Sequence, residues 1–233
     1  MSTNRPYELF EQLKDQLDND RLFLEIGTSR DGAGSTQFLS RLAYQTSNKF
    51  VTVDVDPVLV NAALITKYTM SGEEFADTVM PTIKNRISLL LMDGFDWIQS
   101  PSDVRTGKAS QDAYNLIEQY EQRHEQLNNV NSAVSHTLQL LKLRNHFADR
   151  CAVMFCETWF NWQLDTFEGK GAGGVYVLLA DGFKVISADP NSRYILLGKG
   201  IMRPPGMPNL NVDALNKKYT GPSKAPNRII YNE

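Results

Sequence analysis

No stretch of the sequence approaches the ~18 to 20 consecutive apolar residues that a membrane-spanning helix requires, so no membrane role is expected. The opening MSTNRPYELFEQL is acidic and amphipathic where a secretion signal would be basic and then apolar, and the expected compartment is the cytoplasm. A basic excess is also missing, since 24 Lys and Arg stand against 27 Asp and Glu for a formal net charge of -3. Proteins that grip nucleic acid through its phosphates normally carry such an excess, so general nucleic-acid binding is not expected, although a local basic patch would survive the average. Cysteine is scarce: Cys151 and Cys156 lie five positions apart in one apolar run. That spacing puts them on opposite faces of a strand, so both are expected to be reduced core residues, and a zinc site built on Cys is excluded. The Gly-Lys-Ser/Thr of a Walker-type phosphate loop is absent, as is any internal repeat or low-complexity tract.

What is present suits one large soluble domain: 233 residues, 42% hydrophobic and 22% charged. Leu9, Phe10, Leu13 and Leu17 repeat at helical spacing, and Asp18-Asn19-Asp20 stops that helix. Leu22 to Ile26 reads as a buried strand ending at Gly27, and a helix follows from Ser35. Phe50 to Asp56 reads as a second strand closed by Pro57, followed by a helix around Val58 to Tyr68, and Ile87 to Met92 as a third strand. Strands alternating with helices predict an α/β fold, a Rossmann-like doubly wound and mostly parallel sheet. Residues 100–147 form an insertion whose apolar positions, from Tyr114 to Leu141, recur at helical spacing; one long helix or a pair is expected, as an extended crossover, a lid or a dimer seam. Strands are expected again at Cys151 to Cys156, Phe183 to Ser187 and Tyr194 to Leu197. The proline-punctuated residues 204–233 read as an extended tail, which together with the insertion is the expected surface for any homo-oligomer.

The most informative segment is LFLEIGTSRDGAGS, Leu22 to Ser35, in which a buried strand ends at a glycine loop that opens a helix. Glycines there let the backbone approach a ligand, and the helix N-terminus turns its amides toward it, although tight-turn chemistry alone would also explain them. Asp54 closes the second strand, where a nucleotide site of an α/β sheet puts a carboxylate for ribose hydroxyls, with Asp56 a second choice. Asp93 closes the next strand in LLLMDGFDWI. Each acid alone is more often a solvated strand-end residue, but parallel strands would gather all three ends around one crevice.

These segments resemble the class I S-adenosylmethionine-dependent methyltransferases, in the branch that includes cephalosporin hydroxylase-like and sugar O-methyltransferases. LEIGTSRDGAGST is similar to their first motif, VTVDVDP to the ribose-binding second and LLLMDGFDWI to the third. The resemblance covers roughly Leu22 to Leu197 and makes residues 1–203 a methyltransferase-like domain. It implies S-adenosylmethionine as cofactor, held by Glu25, Gly27, Thr28, Ser29, Gly32, Ser35, Asp54, Asp93 and Gly94, with Glu25 and Gly27 shaping the methionine pocket, Asp54 on the ribose and Asp93 on the adenine amine. The family's catalytic groups follow the fourth strand, which CAVMFCETWFNWQLDTFEGKG is expected to supply, with Glu157 at its end. Asp165 to Gly169 resembles a D-x-S-Y-E-G segment whose histidine is replaced near Thr166. The resemblance thus implies Glu157 and Asp165 as catalytic residues.

Without a histidine at a strand end, a divalent cation could lower the acceptor hydroxyl's pKa instead, and Glu157, Asp165 and Asp189 would be its oxygen ligands, which suits Mg2+. Asp189 comes from LLADGFKVISAD, read as the fifth strand; in an alternative register Gly174 to Leu179 is that strand and Asp181 the ligand. His124, His136 and His146 all fall in the insertion, as solvated or satisfied helix residues or, under a lid, reserve bases. Trp159, Phe160 and Trp162 are core or a stacking surface for a flat acceptor, and GKGAGG around Lys170 is expected to be a flexible acceptor loop. The expected function is S-adenosylmethionine-dependent O-methylation of a small-molecule or glycan hydroxyl, with N-methylation as a variant, or else a non-catalytic cofactor-binding or assembly protein on the same fold.

Overall fold

The computed structural model describes residues 5–29, 34–56, 65–98, 104–122, 127–208 and 211–219. After a 3-10 helix (Pro6–Gln16) the chain forms β1 (Leu22–Ile26), α1 (Ser35–Gln45), β2 (Lys49–Asp54) and β3 (Thr66–Thr69). A composite helix follows, α2 (Gly72–Glu74) continued by a π turn and a 3-10 turn to Thr82. Then come β4 (Ile87–Met92), α3 (Gln111–Gln122), α4 (Asn129–Leu143), β5 (Phe147–Cys156), the strands β6 (Thr158–Asn161) and β7 (Thr166–Gly169), α5 (Ala172–Ala180), β8 (Lys184–Asp189), β9 (Tyr194–Lys199) and α6 (Val212–Tyr219).

Seven strands make one sheet in the order β3-β2-β1-β4-β5-β9-β8, parallel except for β9, which runs antiparallel to both its neighbours. β6 and β7 form a separate antiparallel pair. Every residue of β1 and β4 is buried, because helices cover both faces of the sheet. Two apolar clusters result: Leu24, Val53, Leu90 and Phe155 pack under α4 and α5 on one face, and Phe23, Leu89 and Met154 under α1 and the N-terminal 3-10 helix on the other. The doubly wound sheet is therefore as expected. Among the described residues no helix is long and apolar enough to cross a membrane.

Four elements differ from the sequence reading. Thr66 to Thr69, expected at the end of a helix, is the edge strand β3, pairing Val51 with Thr66 through Asp54 with Thr69. The run Thr-Lys-Tyr-Thr favours a half-exposed pleated surface over a helix, and β2 offers it an open edge. Ile87–Met92 is therefore the fourth strand and Phe147–Cys156 the fifth, so the strands that end at Asp93 and Glu157 each move one place in chain order. The Gly174 to Leu179 segment is part of the buried helix α5, which removes the alternative strand register and replaces the expected flexible loop at GKGAGG. Its glycines admit close neighbours: a Cβ on Gly174 would lie 2.7 Å from the Phe155 ring, and one on Gly173 would meet Thr137 of α4. The tail is extended only in part, since α6 buries Val212, Leu215 and Tyr219 against the core. The insertion is a helical pair, α3 and α4. Gly32 and His124 lie outside the described residues, as does most of the helix expected around Val58 to Tyr68.

Candidate functional site

The carboxyl ends of β1, β2 and β4 converge where strand order reverses, the position at which open α/β sheets form a crevice. A cavity of about 590 Å³ opens there, in the size range of small-molecule sites. Of the residues expected to bind cofactor, Gly27, Thr28, Ser29, Ser35, Asp54, Asp93 and Gly94 line it.

Glu25 lies beneath the cavity instead of on its wall. It is fully buried and accepts hydrogen bonds from Ser35 Oγ (2.5 Å), Thr36 Oγ1 (2.6 Å) and Thr52 Oγ1 (2.7 Å). Thr52 and Thr28 share a further bond of 2.8 Å, and the Ser29 amide donates to Thr36 Oγ1 at 2.8 Å. One acid thus ties the start of α1, β2 and the β1 turn into a single unit. Burial lifts its pKa to about 7, with the three hydroxyls pulling the other way. Gly27, at φ +98, is required for a reason the sequence does not show: a Cβ there would lie 2.5 Å from the backbone of Asp93 and Gly94. The β1 turn and the β4 turn cross in contact, so the glycine serves that crossing before it serves any ligand.

Asp54 ends β2 with both carboxylate oxygens oriented. Oδ2 accepts from the Thr28 amide (2.8 Å) and Oδ1 from the Asp56 amide (2.9 Å), which leaves each oxygen a lone pair for a donor in the cavity. Asp56 itself does not line the cavity. Met70, Ser71 and Gly72, beyond β3, continue the wall on this side.

On the other side Asp93, at the end of β4, meets Lys170, a residue the sequence reading placed in a loop. The Lys170 side chain is 2% exposed, and its ammonium donates to Asp93 Oδ1 (2.9 Å), the Phe95 carbonyl (2.8 Å) and Glu157 Oε2 (3.0 Å). All three of its donors are used. Burial works against the ammonium, but the charges of Asp93 and Glu157 outweigh it and the pKa is raised, so Lys170 stays a cation. Glu157, at φ +47, is pushed upward by burial more than Lys170 pulls it down. Cys156 also lines the cavity, with its thiol held well above the ordinary range, first by burial and then by Asp93. It is half-buried, Cys151 is buried, and both are free.

The expected metal ligands are not brought together. Asp165 lies on the β6–β7 hairpin in an ion pair with Lys218, and Asp189 caps its own turn, accepting from the Asn191 amide (2.9 Å) and Ser192 Oγ (2.7 Å). Asp181 pairs with Arg144 at 2.7 Å. Among the described residues no three His, Cys, Asp or Glu side chains gather as metal donors. The donor set for the expected Mg2+ is therefore not assembled by Glu157, Asp165 and Asp189. Thr166 is buried against the Tyr176 hydroxyl (2.9 Å).

His136 is buried in α4 with Nδ1 donating to the Ser132 carbonyl (2.9 Å); burial, and then the Lys170 charge, lower its pKa to about 3, so the ring is neutral and a poor base. His146 precedes β5, at the far end of that strand from Glu157. Phe160 is core, edge-on to Phe167 at 4.9 Å, whereas Trp162 is 48% exposed. Trp159 donates to Glu168 (3.1 Å) and meets Trp97 edge-on.

No protein-family profile and no curated protein matches the sequence. Solved structures do. One is a Plasmodium falciparum protein described as a ribosomal RNA methyltransferase, with a TM-score of 0.49 and 14% identity over 87% of this chain and 99% of the other. Another is a Streptococcus mutans protein described as a methyltransferase, in complex with SAH, with a TM-score of 0.47 and 13% identity over 85% and 98%. A third is MycE methyltransferase from the mycinamycin biosynthetic pathway, in complex with Mg and SAH, with a TM-score of 0.47 and 11% identity. That alignment takes in 86% of this chain and 51% of MycE.

Proposed function

We propose that the cavity binds S-adenosylmethionine and that the chain is a methyltransferase, acting on a hydroxyl of a small molecule or sugar. The observation that carries this reading is Asp54. Its carboxylate is held by two backbone amides at the end of β2, on the wall of a cavity at the point where strand order reverses, with a lone pair on each oxygen available to a ribose hydroxyl. The residues fit the cofactor in two further respects. The volume of about 590 Å³ suits a nucleoside carrying an amino-acid arm, and the acids Asp54, Asp93 and Asp96 on the wall suit a cationic ligand.

When bound, the cofactor supplies an electrophilic methyl group, whose transfer depends mainly on alignment with the acceptor. The chain's own residues then divide the work. Asp54 orients the ribose, and Met70, Ser71 and Gly72 flank the base. This moves the base away from Asp93, which ends the fourth strand and not the third. Asp93 takes the acceptor's proton in this reading, with Lys170 holding its carboxylate in place and Glu157 completing the ion-paired set. Asp165, on the hairpin, belongs to the acceptor side at most.

Calorimetry with S-adenosylmethionine and S-adenosylhomocysteine tests the reading. Both should bind, and Asp54→Asn should weaken each by about 1 to 3 kcal/mol, the worth of charge-assisted hydrogen bonds. A folded Asp54→Asn protein with unchanged affinity would remove the assignment. Cofactor binding without transfer to any hydroxyl or amine acceptor would favour a non-catalytic cofactor-binding protein.

A further inference from the structure

The charges on the cavity wall are unequal in number but not of one sign. Against the carboxylates of Asp54, Asp93 and Asp96, Arg5 is the one basic side chain among the described lining residues. Arg5 is also held. Its Nη1 donates to the Tyr7 hydroxyl at 3.0 Å, and the Tyr7 ring packs on Phe38 of α1 with centroids 5.5 Å apart. Pro6 starts the 3-10 helix, Phe10 and Leu13 are fully buried, and Gln16 exchanges hydrogen bonds of 2.8 and 2.9 Å with the Met202 backbone at the far end. The N-terminal segment is thus bolted to the body, and it presents Arg5, Pro6 and Tyr7 to the cavity together with Ser29, Gly34 and Ser35.

Resting on the reading that this cavity holds S-adenosylmethionine, we infer that Arg5 recognises the α-carboxylate of the cofactor's amino-acid arm and so sets the chain's preference for nucleosides that carry that carboxylate. The charge pattern of the ligand is the reason. Its sulfonium and ammonium are met by acids of the wall, whereas its single anionic group needs a donor of opposite charge, and a guanidinium fits a carboxylate through two parallel N–H···O bonds. Different elements bring the two side chains to one cavity, Asp54 from the end of β2 and Arg5 from the segment before the N-terminal 3-10 helix, so in this account Asp54 serves the nucleoside and Arg5 the amino-acid arm. Arg5 is a specificity residue in this account, with no part in proton transfer.

The experiment compares S-adenosylmethionine with decarboxylated S-adenosylmethionine, which keeps the nucleoside, the sulfonium and the amine and lacks only the carboxylate. Binding of both is measured by calorimetry to the full chain and to Arg5→Gln and Arg5→Lys, with thermal unfolding as the control for folding. For the unmodified chain the carboxylate should improve affinity about ten- to hundredfold. Arg5→Gln should erase that difference, weakening S-adenosylmethionine and leaving the decarboxylated compound within about twofold. Arg5→Lys should restore part of it, since the charge remains and the fork geometry does not. Equal affinities of the unmodified chain for the two compounds, or equal losses for both in Arg5→Gln, would overturn the inference while the cofactor reading stands. Binding of neither compound to the unmodified chain would overturn both.

Discussion

Glu25 has no exposed surface and three hydroxyl donors, and its environment moves its ionisation into the neutral range. Its pKa is about 7 in the folded protein against an ordinary 4.5. Below pH 4.5 the carboxyl is protonated in the folded and unfolded chain alike. Between 4.5 and 7 the unfolded chain releases the proton while the folded chain keeps it, so stability from this group falls as pH rises through that window, by at most ~1.4 kcal/mol per pH unit. Glu25→Gln cannot ionise and should lack this component. Urea unfolding at pH 5, 6 and 7.5 should show the unmodified chain losing stability relative to Glu25→Gln as pH rises; parallel curves would mean that Glu25 is ionised throughout. The residue scale also shows what a motif conceals. Glu25 and Gly27 are the letters that carry the resemblance, yet one anchors the turn from below and the other makes room for the Asp93–Gly94 backbone.

Elements carry a second set of consequences, clearest in α5. A helix beginning Ala-Gly-Gly is poor by propensity, since each glycine costs ~1 kcal/mol relative to alanine in a helix interior. Here the missing Cβ atoms let α5 lie against β5 and α4. A Cβ on Gly174 would lie 2.7 Å from Cε1 and Cζ of Phe155, a ring with no exposed surface. Gly174→Ala should therefore destabilise the protein by about 1 to 3 kcal/mol despite the better helix propensity, the usual cost of overpacking. A higher urea midpoint for that variant would show that the contact relaxes. The same trade explains why GKGAGG reads as a loop: periodicity and propensity see the weak helix former, whereas the packing that compensates for it comes from residues far away in sequence.

At the scale of the whole molecule the C-terminal segment has a structural task. α6 covers the end of the sheet: Val212, Leu215 and Tyr219 are buried, and the Asn216 side chain pairs with both the amide and the carbonyl of Val185 on the edge strand β8, each at 2.8 Å. Covering an edge in this way satisfies backbone groups that would otherwise invite another strand. Deleting residues 204–233 should cost about 6 kcal/mol or more, from the four buried apolar side chains Met207, Val212, Leu215 and Tyr219 at ~1.5 to 3 kcal/mol each, and should lower the thermal midpoint measured by circular dichroism. An unchanged midpoint would show that the segment contributes nothing to the stability of the sheet.

The sequence by itself determined the alternation of strands and helices, the glycine turn after β1, the acid at the end of β2 and the helical character of the insertion, though not its division into a pair. Each is local: a short apolar run rich in β-branched residues and closed by a glycine or proline fits a strand covered on both faces, and a glycine followed by polar residues fits a turn. Tertiary structure alone decided the rest. β3 exists because β2 offers it an edge, and that makes the strand before Asp93 the fourth, paired with β1, with the Asp93 carboxylate in contact with Lys170. Lys170 reads in sequence as a charge in a glycine-rich loop; it becomes a buried cation only because Asp93 and Glu157, 77 and 13 positions away, close around it. Asp165 and Asp189 could be grouped with Glu157 on a line of text, but the hairpin and the antiparallel strands point them at other partners. Charges and pairings of this kind depend on distances through space, and a one-dimensional pattern records only distances along the chain.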